Sequence, residues 1–406
     1  MQKQLLYDLF QAYYDARKNK RNTNDQLKFE LNLEQNLIEL YEDLKNHRYE
    51  VSQCIYFINP YPIKREIFAG NFRDRVVHHL IYNYVYDIFD KHFIYDSYSC
   101  RVGKGTSFGI KRVNRFIRSC SENYTKDCYV LKLDISGYFM NINKNILFKK
   151  IEKILINKEQ NLKIDLSFLL EIIQKIVFNN PIENSIFKGK REDYVGLPKN
   201  KSLFFARIGC GLPIGNLTSQ LFSNVYLDDF DKFVKQELSP DSIKSGLFYG
   251  RYVDDLIIIH QDKEFLVGVI EKIKNYLSDN LGLTLHPNKI YLQHYSKGVL
   301  FLGSFIKPHR IYVRNRTLGN FYKTIYEINK KFQNHEIITK NDFYRYILSP
   351  INSYLGFIKN TSSFKVKIKI LKKLDKGLLS FFYLDYKFNK IILKYDNLPK
   401  STCLQN

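Results

Sequence analysis

Apolar residues recur at two spacings along the chain, and these spacings separate helical from extended segments. Spacings of three and four residues, typical of amphipathic helices, occur in residues 1–50, 75–93, 140–178 and 262–281. Short runs of β-branched and aromatic residues between turn residues predict strands, in residues 51–67, 130–135, 246–259 and 299–306. The pattern therefore predicts a protein of the α+β class.

Two segments differ from this pattern. Residues 181–210 contain several Gly, Pro and Lys residues, which predict a loop or a short β-excursion. The chain from Lys307 onward is basic and mostly helical in its spacing. We expect this C-terminal segment to bind a nucleic-acid duplex or RNA, because its positive charge is spread along it; docking of a partner protein is the alternative.

The tetrad Tyr-x-Asp-Asp occurs twice, in settings that predict different structures. Around Asp228 and Asp229, apolar residues fall at helical intervals, so these acids should lie on a helix, in solvent or in local ion pairs. Around Asp254 and Asp255, strand-forming residues stand on both sides, so these acids should lie at the bend of a β-hairpin. A hairpin would hold two carboxylates rigidly at the end of a sheet.

The chain is strongly basic, with 63 Lys and Arg residues against 41 Asp and Glu residues and a net charge of +22. Such a charge attracts polyanions over a wide surface, and nucleic acid is the obvious partner. An AT-rich genome would also raise the lysine content, but it does not account for the arginines near the acidic motifs.

The cysteine pattern and the hydropathy of the chain indicate the cellular compartment in which the protein is expected to work. The six cysteines show no CxxC pair and no histidine partner at zinc-ligand spacing. The N-terminus lacks an apolar signal core, and no apolar run approaches the roughly 18 residues needed to cross a bilayer. These features predict a cytoplasmic protein with reduced thiols and no membrane association.

A third acid precedes the acidic hairpin. Asp134 lies near the end of the strand predicted at 130–135, about 120 residues before Asp254. Carboxylates on adjacent strands can bridge two divalent ions, which activate a 3′-hydroxyl and stabilise a leaving pyrophosphate. Mg²⁺ prefers oxygen ligands and retains waters and substrate phosphates, so two or three acids suffice. The pattern indicates a nucleotidyl-transfer site, with an acidic turn beside an unrelated strand acid as the alternative.

Several segments, in order, resemble the palm motifs of reverse transcriptases: LDISGYF, GLPIGNLTSQLFSNVYL, YVDD, LHPNK and FLG. The segment FRDRVVHHLIYNYVYDIFDKHFIYDSYSCRVGKGTSFGI resembles the fingers region of the bacterial, group II intron-like branch. The resemblance runs from about residue 60 to residue 305, and it implies a right-hand polymerase. In this fold an antiparallel palm sheet carries the catalytic aspartates between fingers and a helical thumb.

The resemblance also implies a division of the chain. An N-terminal helical extension would occupy residues 1–59 and the fingers residues 60–133. The palm would occupy residues 134–300, with a fingers insertion at about 150–205. The primer grip and the basic helical thumb would follow in residues 301–406.

The resemblance implies roles residue by residue. Asp134, Asp254 and Asp255 would be the catalytic acids and, with Ile135, would lie at the site of two Mg²⁺ ions, for which Mn²⁺ is a substitute. Phe139 matches the aromatic gate that excludes a ribose 2′-hydroxyl, and Lys289 matches the lysine that protonates leaving pyrophosphate. The other residues implied in nucleotide binding are Lys64, Arg65, Arg75, Gly215 and Gln220. The primer-gripping hairpin would contain Phe301, Leu302 and Gly303.

One loop departs from the commonest form of the family. Most reverse transcriptases have Gln before the glycine and Pro after the serine, where this chain has Ile214 and Gln220. This form resembles the enzymes of diversity-generating retroelements and the unknown-group enzymes of antiphage defence. Because Ile214 lacks the amide that helps to position the template base and nucleotide, we expect reduced or biased fidelity.

The implied activity is synthesis of cDNA from an RNA template. The implied partners are a noncoding or repeat RNA, a DNA primer or product, dNTPs and an accessory protein. An RNA-dependent RNA polymerase and a non-catalytic RNA-binding scaffold remain alternatives. Phe139 and the valine of YVDD favour DNA synthesis over the first, and the intact acids favour catalysis over the second. The sequence leaves open a role in a retroelement or in defence.

Overall fold

The computed structural model describes residues 2–18, 22–60, 63–238, 246–337 and 339–394. The chain forms two compact units, each assembled from separate stretches of sequence. Unit 1 comprises Met1–Gly105 and Leu131–Tyr291, and unit 2 comprises Thr106–Val130 and Leu292–Asn406. The end of the predicted thumb, residues 395–406, lies outside the described residues. The division into fingers, palm and thumb stays a prediction.

Both units contain helices and strands. The helices α1 to α16 are Gln2–Arg17, Asn24–Leu31, Leu33–Lys45, Phe72–His92, Thr106–Cys120, Tyr138–Asn141, Lys144–Ile156, Leu166–Phe178, Leu217–Tyr226, Asp228–Lys232, Lys263–Leu281, Asn315–Gln333, Lys340–Asp342, Ser349–Ile358, Phe364–Leu371 and Lys376–Leu379. The strands β1 to β12 are Cys54–Asn59, Arg65–Ala69, Tyr129–Asp134, Ser185–Phe187, Phe248–Tyr252, Asp255–His260, Tyr291–His294, Val299–Phe301, Ser304–Lys307, Arg310–Val313, Phe382–Leu384 and Ile391–Leu393. This content confirms the α+β class.

Unit 1 is organised around the strands β5, β6 and β3, which are neighbours in one sheet in that order. Strand β6 buries four consecutive apolar residues, Leu256 to Ile259, a run typical of a strand covered on both faces. Helix α4 packs against α1 and α9, and α7 packs against α8 and α9. A smaller sheet pairs β1 with β2 antiparallel and with β4 parallel.

Unit 2 contains the antiparallel sheet β8-β9-β10 and a separate helical core. Helix α12 buries Phe321, Ile325 and Ile328, which are spaced by four and three residues as an amphipathic helix requires. These side chains form one cluster with residues of α14 and with Phe382 of β11. Unit 2 thus has its own hydrophobic core.

The C-terminal segment is less uniformly helical than its spacing predicts. The stretch FKVKIKILKKLDKGLLSFF, read as helical, forms the short helices α15 and α16 and then enters β11. The break occurs at Asp375, whose carboxylate accepts a hydrogen bond from the N–H of Gly377 at 2.8 Å and starts a new helix. Strands β11 and β12 then pair antiparallel, and they are too short for alternation to show in the sequence. Across the described ranges, no helix is both long and apolar enough to cross a membrane.

Candidate active site

The end of β3 and the turn between β5 and β6 bring three carboxylates together. Asp134 is the last residue of β3, Asp254 lies in the turn, and Asp255 is the first residue of β6. The main-chain N–H of Ile135 donates a hydrogen bond to the carbonyl of Asp254 at 3.3 Å, which joins the two segments. Both other carboxylates repel that of Asp254. The predicted acids therefore form one site at the end of the sheet.

The hairpin turn itself has an unfavourable backbone conformation. Tyr252 pairs with Asp255, so only Val253 and Asp254 connect the strands. Val253 has a φ of 56°, which costs a β-branched residue about 1–3 kcal/mol. A positive φ at this first turn position matches the twist of a two-residue hairpin. The carbonyl of Val253 accepts a hydrogen bond from Arg251 Nη1 at 3.1 Å, which helps to hold the turn.

The site concentrates negative charge in partly buried positions. Burial, followed by repulsion from Asp255 and Asp134, raises the pKa of Asp254 from 3.8 to about 6. Burial also raises the pKa of Asp255. Lys289 Nζ donates a hydrogen bond to Asp134 Oδ1 at 2.8 Å and supplies one positive charge. The remaining repulsion means that the carboxylates bind added cations favourably.

We expect Asp254→Asn to stabilise the metal-free protein above pH 6. The raised pKa means that the folded protein disfavours the charged carboxylate. This cost is absent below about pH 4, grows as the pH rises, and is complete above about pH 6, where we expect about 2 kcal/mol after allowance for partial exposure. Thermal unfolding in chelator between pH 4 and 8 measures the difference. An equal gain at every pH would contradict this explanation.

The donor set fits divalent ions that share their ligands with a substrate. In the part of the chain that the structure describes, no three His, Cys, Asp or Glu side chains are gathered to hold a metal ion by themselves. Mg²⁺ commonly takes only one or two carboxylates and completes its shell with waters and phosphates. Each of two ions that share Asp134, Asp254 and Asp255 would take one or two of these carboxylates, which fits that mode. Ile135 could contribute only its main-chain carbonyl oxygen as a metal ligand.

A buried ion pair next to the turn is a feature that sequence reasoning missed. Arg251 and Asp231 are both fully buried and form two hydrogen bonds, Nε to Oδ1 and Nη2 to Oδ2, each of 2.7 Å. The hydroxyl of Tyr249 donates to the same carboxylate at 2.6 Å. Burial alone would lower the pKa of Arg251, but the Asp231 carboxylate raises it above its ordinary value. Since Arg251 also bonds to Val253, the pair supports the turn.

The first Tyr-x-Asp-Asp tetrad lies on a helix, as its spacing predicts. Asp228 and Asp229 open α10, and both form ion pairs. Lys232 Nζ lies 2.6 Å from Asp228 Oδ2, and Lys150 Nζ lies 2.6 Å from Asp229 Oδ2. The predicted local ion pair is thus confirmed for Asp228, whereas Asp229 pairs with a lysine of α7 that is 79 residues away. Asp228 is buried, however, whereas the Asp229 side chain is 57% exposed.

The basic residues predicted to bind nucleotide have different environments. Lys64 Nζ donates to the main-chain carbonyls of Asp193 at 2.9 Å and Val195 at 2.6 Å. Arg75 Nε donates to the carbonyl of Gly70 at 3.1 Å, and burial lowers the pKa of Arg75. Arg65, the first residue of β2, is exposed. Their roles in nucleotide binding stay predictions.

Two further predicted residues lie on short elements of unit 1. Phe139, in α6, packs partly buried against a cluster that contains Phe68 and Leu203. Its main-chain carbonyl accepts a hydrogen bond from the N–H of Leu212 at 2.9 Å. Gln220, in α9, accepts a hydrogen bond from Cys100 Sγ at 3.3 Å. A gate at Phe139 and nucleotide contact by Gln220 stay predictions.

We expect Gly215→Ala to destabilise the protein by about 2 kcal/mol or more. Gly215 has a φ of 135°, and a Cβ there would lie 2.3 Å from the carbonyl oxygen of Phe68. The loop cannot move away easily, because Phe68 N–H donates to the carbonyl of Ile214 at 2.8 Å. Urea unfolding measures the loss. The matched control is Gly268→Ala in α11, where a Cβ meets nothing within 4 Å; equal effects of both substitutions would contradict the steric explanation.

Unit 2 contains the hairpin predicted as the primer grip. Phe301 ends β8 and pairs with Ser304, so Leu302 and Gly303 form a two-residue turn. Their φ values are 47° and 81°, as the turn type favoured in two-residue hairpins requires. The predicted strands are therefore present, and the primer-gripping role stays a prediction.

A family of known proteins matches most of unit 1. The family model described as reverse transcriptase (RNA-dependent DNA polymerase) matches residues 64–306, more than half of the chain. The matched region contains β3, the β5–β6 hairpin, Lys289 and the β8–β9 turn.

Individual relatives are distant. Protein YkfC of Escherichia coli K12 is 23% identical over 271 residues, which cover 60% of this chain and 62% of that protein. The COX1/OXI3 intron 2 protein of Saccharomyces cerevisiae is 19% identical over 295 residues, 60% of this chain and 30% of that protein. A solved structure of apo telomerase from Candida tropicalis has a TM-score of 0.49 at 12% identity and covers 80% of this chain and 55% of that one. The chain spans less than two thirds of the length of either curated relative.

The family match and the geometry concern the same residues. The region that matches the family model includes the strand end and the hairpin turn that gather Asp134, Asp254 and Asp255. Because this match extends over more than half of the chain, the protein belongs to the reverse transcriptase (RNA-dependent DNA polymerase) family, and it has the α+β, right-hand polymerase fold predicted from its sequence.

Proposed function

We propose that this chain is an RNA-directed DNA polymerase that synthesises cDNA by nucleotidyl transfer to a 3′-hydroxyl. The observation that carries the proposal is the convergence of Asp134, Asp254 and Asp255 at the end of β3 and the β5–β6 turn. A scaffold without catalysis has no need of three mutually repelling carboxylates. The charge of +22 supports binding of nucleic acid, because phosphate contacts supply most of the affinity for a duplex.

The proposed roles follow from the chemistry of the side chains. Asp134, Asp254 and Asp255 would hold two Mg²⁺ ions, with Mn²⁺ as a substitute. Such ions, when bound, activate the attacking hydroxyl and stabilise the leaving pyrophosphate. Lys289 neutralises Asp134 in this structure and is the candidate to donate a proton to pyrophosphate. Phe139 is the candidate gate against a ribose 2′-hydroxyl.

Primer extension by the purified chain tests this proposal. An RNA template annealed to a DNA primer is incubated with Mg²⁺ and either dNTPs or NTPs. We expect extension with dNTPs and little with NTPs, and we expect Phe139→Ala to raise the use of NTPs. Extension with NTPs alone would establish the RNA polymerase alternative. Absence of extension by a folded chain that binds the substrate would favour the scaffold alternative.

The biological role we propose is copying of a noncoding or repeat RNA, in a diversity-generating retroelement or in antiphage defence. The loop around Ile214 and Gln220 supports both settings equally. The discriminating experiment is to recover and sequence the nucleic acid bound to the protein in its host, and to compare wild type with Asp254→Ala. Mutated cDNA of a protein-coding repeat would establish the retroelement role, and cDNA copied from a noncoding RNA during phage infection would establish the defence role. Copurifying proteins in the same sample test for the accessory partner.

We expect Ile214→Gln to lower the misincorporation rate. The carbonyl of Ile214 accepts a hydrogen bond from the N–H of Phe68 in β2, which fixes the loop backbone. A different side chain at position 214 should therefore leave the backbone conformation unchanged. A glutamine amide would add hydrogen bonds toward the template base and nucleotide that an aliphatic side chain cannot form. Sequencing of cDNA made by both proteins on one template measures the error spectrum. Equal spectra would contradict a role for this position in fidelity.

A further inference from the structure

A loop of unit 1 outside the predicted site exposes aromatic and basic side chains together. We call residues 199–208 the aromatic–basic loop. Phe204 is 41% exposed, Phe205 62% and Ile208 fully exposed. The loop carries three basic residues, Lys199, Lys201 and Arg207, and no acidic one. Large apolar side chains held in water forgo the stabilisation of burial, which indicates that the surface serves an interaction.

The backbone of this loop is fixed from inside the protein. Glu66 of β2 is 1% exposed, and its carboxylate accepts hydrogen bonds from the N–H of Leu203 at 2.7 Å and from Ser202 Oγ at 3.0 Å. Leu203 is buried in the cluster that includes Phe139. Because the neighbours of Phe204 and Phe205 are anchored in this way, the exposure of the two rings is a defined feature of the fold.

Both ends of the loop rest on the segment that follows Asp134. Gly137 approaches the loop so closely that a Cβ would lie 2.7 Å from the carbonyl oxygen of Asn200. After the loop, Cys210 forms a β-bridge with Asn143. These contacts attach the loop to residues 137–143, which include Phe139. The loop therefore lies beside the segment that carries Phe139, the candidate gate of the active site.

The rings and charges are arranged as in surfaces that bind single strands. The Phe204 ring centroid lies 5.3 Å from that of Tyr56, with the two rings tilted, so Phe204 belongs to a cluster of aromatic rings that reaches the surface. Lys199 Nζ lies 5.4 Å from the centre of the Phe205 ring. Arg207 Nη2 donates to the carbonyl of Gly282 at 3.0 Å, which fixes its position. Bases stack on such rings while lysines and arginines contact the backbone phosphates.

We propose that the aromatic–basic loop binds a single strand of nucleic acid next to the active site, with a base stacked on Phe205 and phosphates near Lys199 and Arg207. This inference rests on the proposed function, since it identifies the strand as unpaired template. The absence of acidic residues from the loop favours a polyanion over a protein partner.

Equilibrium binding without nucleotides or metal tests the inference separately from catalysis. Fluorescence anisotropy compares a blunt RNA–DNA duplex with the same duplex bearing an unpaired template overhang, made of RNA or of DNA. The variants are Phe205→Ala, Phe205→Tyr and Tyr95→Ala. Tyr95 is the matched control, because it is 58% exposed and Lys104 Nζ lies 4.4 Å from its ring centre.

We expect Phe205→Ala to weaken binding of the overhang substrate about tenfold, the usual effect of losing one stacked base. Binding of the blunt duplex should not change, and Phe205→Tyr should bind like wild type. Arg207→Gln should reduce the slope of log affinity against log salt concentration for overhang binding by about one, because one phosphate contact is lost. Comparison of the RNA and DNA overhangs shows which of the two nucleic acids the loop binds more tightly.

Three results would overturn the inference: an effect no larger than that of Tyr95→Ala, equal weakening of both substrates, or no preference of folded wild type for the overhang. A chain that fails to extend primers but shows the Phe205 effect would refute the proposed polymerase activity and leave the single-strand site standing. Unchanged unfolding temperatures for Phe205→Ala exclude loss of fold, as the exposure of the ring leads us to expect.

Discussion

Asp254→Asn is expected to reduce primer extension by about a thousandfold or more, which corresponds to about 4 kcal/mol in activation free energy. The substitution keeps the shape of the side chain and removes its charge. Asp254 lies at the point where the β5–β6 turn meets the end of β3, and its charge is one of three that would hold divalent ions. Single-turnover extension on an RNA template measures the loss at saturating primer–template.

The chain contains its own control for this prediction. Asp229 occupies the same position in the other Tyr-x-Asp-Asp tetrad as Asp255 does in YVDD, but it lies on α10 and pairs with Lys150. Asp229→Asn should leave extension within about twofold of wild type, because Asp229 lies on a helix outside the proposed catalytic site and its side chain is 57% exposed. Comparable losses in both tetrads, or full activity of Asp254→Asn, would show that the hairpin is not the catalytic centre.

Arg251→Met is expected to destabilise the fold by about 3–5 kcal/mol, because it leaves the Asp231 carboxylate buried without its partner. Both hydrogen bonds of 2.7 Å and the contact with the Val253 carbonyl are lost together. The double variant Arg251→Met with Asp231→Leu removes both charges and should recover most of the stability. Chemical denaturation of the three proteins measures the differences in free energy of unfolding.

An exposed ion pair serves as the reference. Lys274 and Glu271 on α11 lie 3.4 Å apart with side chains 61% and 64% exposed, so Lys274→Met should change stability by less than about 0.5 kcal/mol. If Arg251→Met had an equally small effect, or if the double variant were as unstable as the single one, the buried pair would not support the hairpin.

Local sequence patterns were sufficient for much of the site. Strand-forming residues on both sides of Asp254 and Asp255 predict the hairpin, and β5 and β6 form it. Helical spacing around Asp228 and Asp229 predicts α10 and separates the two tetrads. These predictions succeed because secondary structure depends on the periodicity of neighbouring residues, which a single sequence displays.

The sequence by itself therefore determined the α+β class, the hairpin, the order of the acidic motifs and the basic charge. Only the tertiary structure decided which distant groups meet: Arg251 with Asp231 across 20 residues, Glu66 with Ser202 across 136, and Lys289 with Asp134 across 155. A carboxylate on an amphipathic helix has the same sequence signature whether it faces water or a buried guanidinium. Burial and long-range hydrogen bonds arise only when the chain has folded, and they set both the pKa of Asp254 and the support of its turn.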